Sequence, residues 1–173
     1  MQTDIVTTTP RLALSLLMAV DAPWLLELLN EPGFLTWIGD RGVRNLDDAR
    51  RYLEEGPWVS YARHGHGLWA IRRRSDGAAL GMAGLLRRDF LEGPDLGYAL
   101  FAASSGQGYG REAAGAVLSW ASAHGHRQVW AMVKPGNLAS LRLLAALGFE
   151  AAGNVAAGPA PADLLLRKRL DRC

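Results

Sequence analysis

A chain of 173 residues, 49% hydrophobic and 21% charged, has the size and balance of one soluble globular domain with a single sizeable core. A net charge of +2 is too mild to call for nucleic acid, although an isoelectric point near 9.0, set by bases that are nearly all arginine, suits an anionic ligand. Cys173 is the single cysteine, so an internal disulfide is excluded and a reducing, cytoplasmic setting is expected.

Leu12 to Val20 imitates the core of a signal peptide, but Asp4 precedes it, a basic segment is missing and Asp21-Ala22-Pro23 makes a poor cleavage site. The run is also too short to span a bilayer, so no membrane association is expected. Arg11 to Leu16 alternates loosely and predicts a first strand. Asp21 predicts the N-cap of a helix with Pro23 in its first turn and Trp24, Leu25, Leu28 and Leu29 on one face, ended by Asn30 and Pro32-Gly33. Phe34 to Ile38 is a short apolar segment. Asn45 predicts the cap of a second helix, with Asp48 at the capping-box position and Ala49, Tyr52 and Leu53 facing inward. Two helices after one strand predict a flap.

Gly67 to Ile71 and Leu80 to Leu86 read as the second and third strands around a Ser75-Asp76-Gly77 hairpin turn. Gly93-Pro94 breaks the chain before a fourth, Asp95 to Phe101, and short connections predict an antiparallel meander. Arg111 to Ala123 is helical, with small residues on the inward side and Gly125 as the residue past its end. Gln128 to Val133 predicts a fifth strand parallel to the fourth, because a helix separates them. Asn137 caps a last helix, Leu138 to Leu147, and Phe149 to Gly153 pairs with Leu164 to Lys168 around an Ala/Gly/Pro loop. The whole is one domain, residues 1–173, without repeats or a linker.

Ser104-Ser105-Gly106-Gln107-Gly108-Tyr109-Gly110-Arg111-Glu112 joins the fourth strand to the alanine-rich helix. Strand, glycine loop and helix N-terminus together turn backbone N–H groups toward an anion. A Walker A loop would need Lys-Ser/Thr, and Arg111-Glu112 stands there instead. A dinucleotide fingerprint would need a parallel unit and an acidic residue about twenty positions on, and the region of Gln128 to Trp130 has none. A plain tight turn and a pyrophosphate handle both remain. The second motif is Asn137-x-x-Ser140 followed by Leu147-Gly148-Phe149; alone, it reads equally as an N-cap with a first-turn serine.

Taken together, the motifs resemble those of the GNAT superfamily of acetyl-coenzyme A-dependent N-acetyltransferases. Within it the chain is most similar to the branch of ribosomal-protein N-terminal (alanine/serine) acetyltransferases. The resemblance runs from Pro10-Arg11-Leu12 to Phe149 through Asp21-Ala22, Trp37-Ile38, Gly84-Leu85, Asp95-Leu96-Gly97-Tyr98, Gly106-Gln107-Gly108-Tyr109-Gly110, Glu112-Ala113 and Asn137-x-x-Ser140. It implies an α+β fold: a mixed, mostly antiparallel sheet of about six or seven strands flanked by helices and splayed between the fourth and fifth. It implies that the backbone of Leu100, Phe101 and Ala102 meets the pantetheine arm, that amides of Gln107, Gly108, Tyr109, Gly110 and Arg111 hold the pyrophosphate, and that Asn137 and Ser140 face the cofactor. Trp37 and Tyr98 are the expected acceptor-binding residues.

Two departures stand out. Ser105 opens the loop where relatives commonly carry Arg or Gln, and Leu144 occupies the position of a tyrosine general acid. Ser140, one turn before Leu144, is then the expected donor to the leaving thiolate. A thiol of pKa about 8.5 needs little protonation help, and a peptide α-amine, pKa about 8, is far easier to present neutral than a lysine at about 10.4. Asp95 is the candidate to accept or relay the amine proton through water; Glu112 in a first helical turn reads as a dipole partner.

His64-x-His66 and His124-x-His126 lack a cysteine or well-placed acid, so no metal is expected. Arg72-Arg73-Arg74 and Arg87-Arg88 read first as solvated strand ends, and Tyr52 and Trp58 as packing residues. The expected acceptor is a peptide N-terminus. Rival readings are a small-molecule amine acetyltransferase acting on a polyamine, amino acid or aminoglycoside, and a non-catalytic coenzyme A-binding module. A homodimer is compatible with any of these.

Overall fold

The structure is a computed structural model that describes residues 4–154 and 163–171; Cys173 and most of the Ala/Gly/Pro loop lie outside them. Eight strands form one sheet in the order β1-β2-β3-β4-β5-β6-β8-β7. They are β1 (Ile5–Thr8), β2 (Leu12–Leu16), β3 (Leu68–Arg73), β4 (Ala79–Leu86), β5 (Asp95–Leu100), β6 (Gln128–Val133), β7 (Glu150–Asn154) and β8 (Leu164–Arg169). All neighbours are antiparallel except β5 and β6. The expected mixed, mostly antiparallel sheet is therefore present, enlarged by β1, a hairpin partner of β2 whose four residues carry no clear alternation.

Helices cover both faces. On one lies α5 (Tyr109–Ala123), whose Ala113, Ala114, Val117 and Ala121 are fully buried against Leu12, Leu14, Ile71, Leu85 and Leu96, so that small side chains let the helix settle on the sheet. Leu141, Leu143 and Leu144 of α6 (Leu138–Ala146) join the same cluster. The other face carries α1 (Ala22–Leu29), α2 (Pro32–Trp37), α3 (Leu46–Glu55) and α4 (Pro57–His64), with Leu25, Leu28, Leu29, Phe34 and Leu53 packed on Leu68, Ala70, Met82 and Ala99. The flap thus has four helices where two were expected. Pro32, which reads as a breaker, and Pro57 occupy the first helical position, where a missing N–H costs nothing.

Local chemistry explains several boundaries. Asn45 Oδ1 accepts the Asp48 amide (2.9 Å), while Asp48 reaches one residue past the expected box to the Arg44 amide (3.0 Å). Asp21 does begin α1, but its carboxylate is not a cap on that helix. It is 1% exposed and accepts from the Met18 amide (2.8 Å), from Trp24 Nε1 (2.8 Å) and from Arg72. Arg72 to Arg74 are likewise no free strand ends, since Arg73 pairs with Asp76 (2.6 Å) and Arg74 donates to Thr9 O (2.9 Å). Trp58 Nε1 donates to Leu17 O (2.8 Å), the packing role expected of it.

All four histidines gather where α4 and α5 end. His66 is 5% exposed, its Nδ1 lies 3.2 Å from Leu85 O, and its ring centroid is 5.5 Å from that of His126 and 5.9 Å from that of His64. His124 stacks on Trp120 at 3.7 Å. Burial lowers the pKa of both His66 and His126, and for His66 the neighbouring His126, His64 and Arg87 add to the fall. A base whose folded pKa is depressed contributes stability that is full above its unfolded pKa, about 6.5, and is eroded as pH falls through it. Wild type should lose more melting temperature between pH 7.5 and 5.5 than His66→Gln, which keeps a donor to Leu85; identical slopes in thermal unfolding would contradict this.

Candidate active site

The site begins where the sheet comes apart. β5 and β6 are in register at one pair, Asp95 with Trp130, reinforced by Trp130 N–H to Pro94 O (2.8 Å). Beyond that point the two strands diverge. Pro94 turns its carbonyl toward β6, whereas Phe101 N–H bonds Leu80 O (3.0 Å) on the β4 side. Strand groups alternate with period two, so the amides of Gly97, Ala99 and Phe101 serve β4 and those of Leu96, Tyr98 and Leu100 point the other way; Leu96 N–H completes the single bridge to β6, which leaves the amides of Tyr98 and Leu100 facing the gap. Of the three residues expected along a pantetheine arm, Leu100 thus offers an amide to the gap. Phe101 N–H is committed to Leu80, and Ala102 N–H donates to Glu31 Oε2 (2.8 Å).

At the wide end of the gap stands the glycine loop. Gly106 and Gly108 take φ of 75° and 82°, a conformation that L residues avoid. Glu112 N–H is bonded to Gly108 O (3.1 Å). Ahead of it, the amides of Tyr109, Gly110 and Arg111 form the open first turn of a fifteen-residue helix. Among the described residues they have no backbone acceptor outside the helix. Open amides at such a helix start can cradle an anion.

Gly110 has a different reason to be glycine. A Cβ there would stand 3.2 Å from Leu143 Cδ1 and 3.3 Å from Leu100 Cδ1, so its role is close packing of α5 between β5 and α6.

The loop is braced from the β1–β2 hairpin. Glu112 Oε1 accepts from Thr9 Oγ1 (2.5 Å) and the Arg11 amide (3.0 Å), and Oε2 accepts from Arg11 Nε (2.6 Å). The Arg11 guanidinium continues to Gln107 O (3.0 Å) and lies 4.5 Å above the Tyr109 ring. Glu112 is therefore the anchor of this bracket. Sequence reading had given Arg11 no role; its place in Pro10-Arg11-Leu12, just before a strand, was the only signal.

Across the gap, Asn137 caps α6, its Oδ1 accepting Ser140 N–H (3.1 Å). Ser140 Oγ meets Tyr98 Oη at 2.5 Å, joining α6 to β5. Tyr98 packs with the α5-side cluster, and burial raises its phenol pKa, with Ser140 opposing the rise. Leu144, 1% exposed, is a core residue. Trp37 lies on the flap, 40% exposed, its ring 3.5 Å from where a Gly136 Cβ would be, and Lys134 Nζ donates to the neighbouring Thr36 O (2.7 Å). The structure thus brings Tyr98 to Ser140 and Trp37 to the loop before α6.

Asp95 sits at the closed end of the gap. It is 3% exposed, paired with Arg88 Nε (3.0 Å), and its Oδ1 has no hydrogen-bond partner among the described residues. Burial pushes its carboxyl up to about 6, against the pull of Arg88. Three strand residues, roughly 10 Å, separate it from Tyr98, so Asp95 does not touch the middle of the gap. Among the described residues no group of three or more His, Cys, Asp or Glu side chains could hold a metal ion, and no helix is long and apolar enough to cross a membrane.

Residues 11–150 match the family described as the acetyltransferase (GNAT) domain, and the chain belongs to that family. Among solved structures it is similar to an acetyltransferase from Agrobacterium tumefaciens, at 25% identity over 94% of this chain and 92% of that one, with a TM-score of 0.79. It shares its fold with the ribosomal-protein-S5-alanine acetyltransferase of Vibrio fischeri (18% identity, 96% and 97% covered, TM-score 0.77). The same is true of a ribosomal L7/L12 alpha-N-protein acetyltransferase in complex with coenzyme A (16%, 97% and 99%, TM-score 0.79). The protein is a GNAT-type acyltransferase.

The bracket supplies a direct test of how the loop is held. Glu112→Ala removes three hydrogen bonds to one carboxylate at partly exposed groups, and should cost about 2 kcal/mol in urea unfolding. Loop amides from Gln107 to Arg111 should exchange faster with solvent. Unaltered exchange would show that the loop holds its shape without the hairpin.

Proposed function

We propose that this chain transfers an acetyl group from acetyl-coenzyme A to a primary amine by direct attack in a ternary complex. The observation that carries this reading is the row of β5 amides facing the gap, continuous with the anion cradle at α5. A long, flexible cosubstrate with amides at one end and a pyrophosphate at the other fits that combination. Amides of Gln107 to Arg111 would hold the pyrophosphate and the Leu100 backbone the arm, with Asn137 and Ser140 bordering the thioester. When bound, acetyl-coenzyme A supplies the activated acyl group.

The chain's own groups do the rest. The Tyr98 N–H of β5 would stabilise the oxyanion that develops on the carbonyl. Ser140 donates a hydrogen bond to the leaving sulfur, which suffices for a good leaving group. Asp95 takes the amine proton through water. Trp37, on the flap side, borders the acceptor. A peptide N-terminus is the proposed acceptor, because an α-amine presents more neutral nucleophile at pH 7 than lysine does. Two fold relatives, a ribosomal-protein-S5-alanine acetyltransferase and a ribosomal L7/L12 alpha-N-protein acetyltransferase, support this reading. A screen of free-N-terminal peptides, lysine peptides, polyamines and aminoglycosides, read by mass spectrometry, should label the first class.

Two variants test the machinery. Gly108→Asp places a carboxylate beside the cradle, its Cβ 3.2 Å from Arg11 Nη2, and should weaken coenzyme A by at least about 100-fold in calorimetry, or about 2.7 kcal/mol. Unchanged affinity would defeat the cofactor assignment. Gly108 is the cleaner site, since a side chain at Gly110 would also disturb Leu100 and Leu143. With a carboxyl raised to about 6, Asp95 is a carboxylate above that pH, so kcat/KM should fall as pH drops through it. Asp95→Asn should lower kcat about 100-fold and remove that limb; a limb that persists would assign the base elsewhere.

A further inference from the structure

The Tyr98–Ser140 contact is the least expected feature of the gap. Three hydroxyl and amide groups are joined in series: Asn137 Oδ1 receives Ser140 N–H at 3.1 Å, and Ser140 Oγ meets Tyr98 Oη at 2.5 Å. The position where relatives carry a tyrosine acid is filled by buried Leu144, yet a phenol is present, delivered from β5 and not from α6. We propose that Tyr98 is a positioning residue that donates its phenolic hydrogen to Ser140 Oγ and so frees the serine's own hydrogen to point at the sulfur of the cosubstrate.

The direction of the bond follows from acidity. A phenol is a far better donor than an aliphatic hydroxyl, and the two oxygens cannot both donate along one line. With Tyr98 donating, Ser140 Oγ is an acceptor on one side and a donor on the other, and each bond polarises the next. Burial keeps the phenol protonated, since it raises the Tyr98 pKa above the ordinary value. Asn137 holds the backbone end of Ser140, so the serine rotor is constrained from both ends. The step balances without moving the phenolic proton: the amine–carbon bond forms, the carbon–sulfur bond breaks, and the electron pair settles on sulfur, which accepts the Ser140 hydrogen bond. The amine proton leaves toward water and Asp95.

This inference rests on the reading of Ser140 as the donor to sulfur, and the test separates the two. Coenzyme A itself is the probe: the thiolate absorbs in the ultraviolet, so the ionisation of the bound thiol is titrated directly without any acceptor amine. In wild type the bound thiol should ionise at a lower pH than the thiol of free coenzyme A. Ser140→Ala should raise that pKa by about one unit, Tyr98→Phe by about half a unit, and the double variant should match Ser140→Ala alone. Coenzyme A affinity in calorimetry should stay within about threefold throughout.

If Ser140→Ala leaves the thiol pKa at its wild-type value, the serine is not the donor and the underlying reading fails. If Ser140→Ala raises it but Tyr98→Phe does not, or the two changes add, only the role of Tyr98 is overturned. Should Tyr98→Phe not fold, difluorotyrosine at position 98 replaces it. That more acidic donor should lower the bound-thiol pKa below wild type, and an unchanged value would overturn the proposal.

Discussion

The structure depends on a sheet that is deliberately incomplete. β5 and β6 touch at one register pair, Asp95 with Trp130, and then separate. A buried strand edge with unpaired amides is ordinarily costly, and here it is the part of the backbone that a ligand can complete. Everything else supports the opening. Antiparallel β4 holds one edge of β5 along its whole length, β8 does the same for β6, and helices on both faces keep the two halves in one sheet. Neither strand can move to close the gap without breaking its other ladder.

The opening has two ends with different electrostatics. At its wide end, the α5 N-terminus and the glycine loop present amides without a neutralising side chain, because Arg11 is engaged by Glu112 and Gln107 O. Arg11 therefore stiffens the loop more than it supplies free charge, and what the loop can offer an anion is its backbone amides. At the narrow end, Asp95 is a largely desolvated carboxyl held by Arg88 and, more weakly, by the backbone of Met132. Such an environment brings an acid's pKa close to working pH, where it can exchange protons in both directions. Between them lie Tyr98 and Ser140, neutral hydroxyls suited to orienting and not to bearing charge.

Much of this was legible in the sequence because local rules and the global fold agree. Gly108 as a left-handed loop residue, Asn137 as a cap and the Ser75-Asp76-Gly77 turn each have a plain local reading that the structure keeps, whereas Gly110 owes its place to packing. The misreadings came from residues with two uses. Proline both ends and begins helices, so Pro32, read as the end of α1, concealed α2. Asp21 has the chemistry of a cap, but Arg72, fifty-one positions away, claims its carboxylate. Long-range partners were the other blind spot. The Arg11–Glu112 bracket and the Tyr98–Ser140 bond connect elements whose proximity only the fold creates, and neither leaves a periodic trace. The even position of Tyr98, with Leu96 and Leu100, was the one available hint that its side chain belongs to the α5 face.

The central claim is that alternate amides of β5 are left free for a ligand while their neighbours serve β4. Residue-resolved amide exchange measures this directly. Without coenzyme A, the amides of Tyr98 and Leu100 should exchange much faster than those of Gly97 and Ala99, and saturating coenzyme A should slow Leu100 selectively. Uniform protection along β5, unchanged by coenzyme A, would contradict the account.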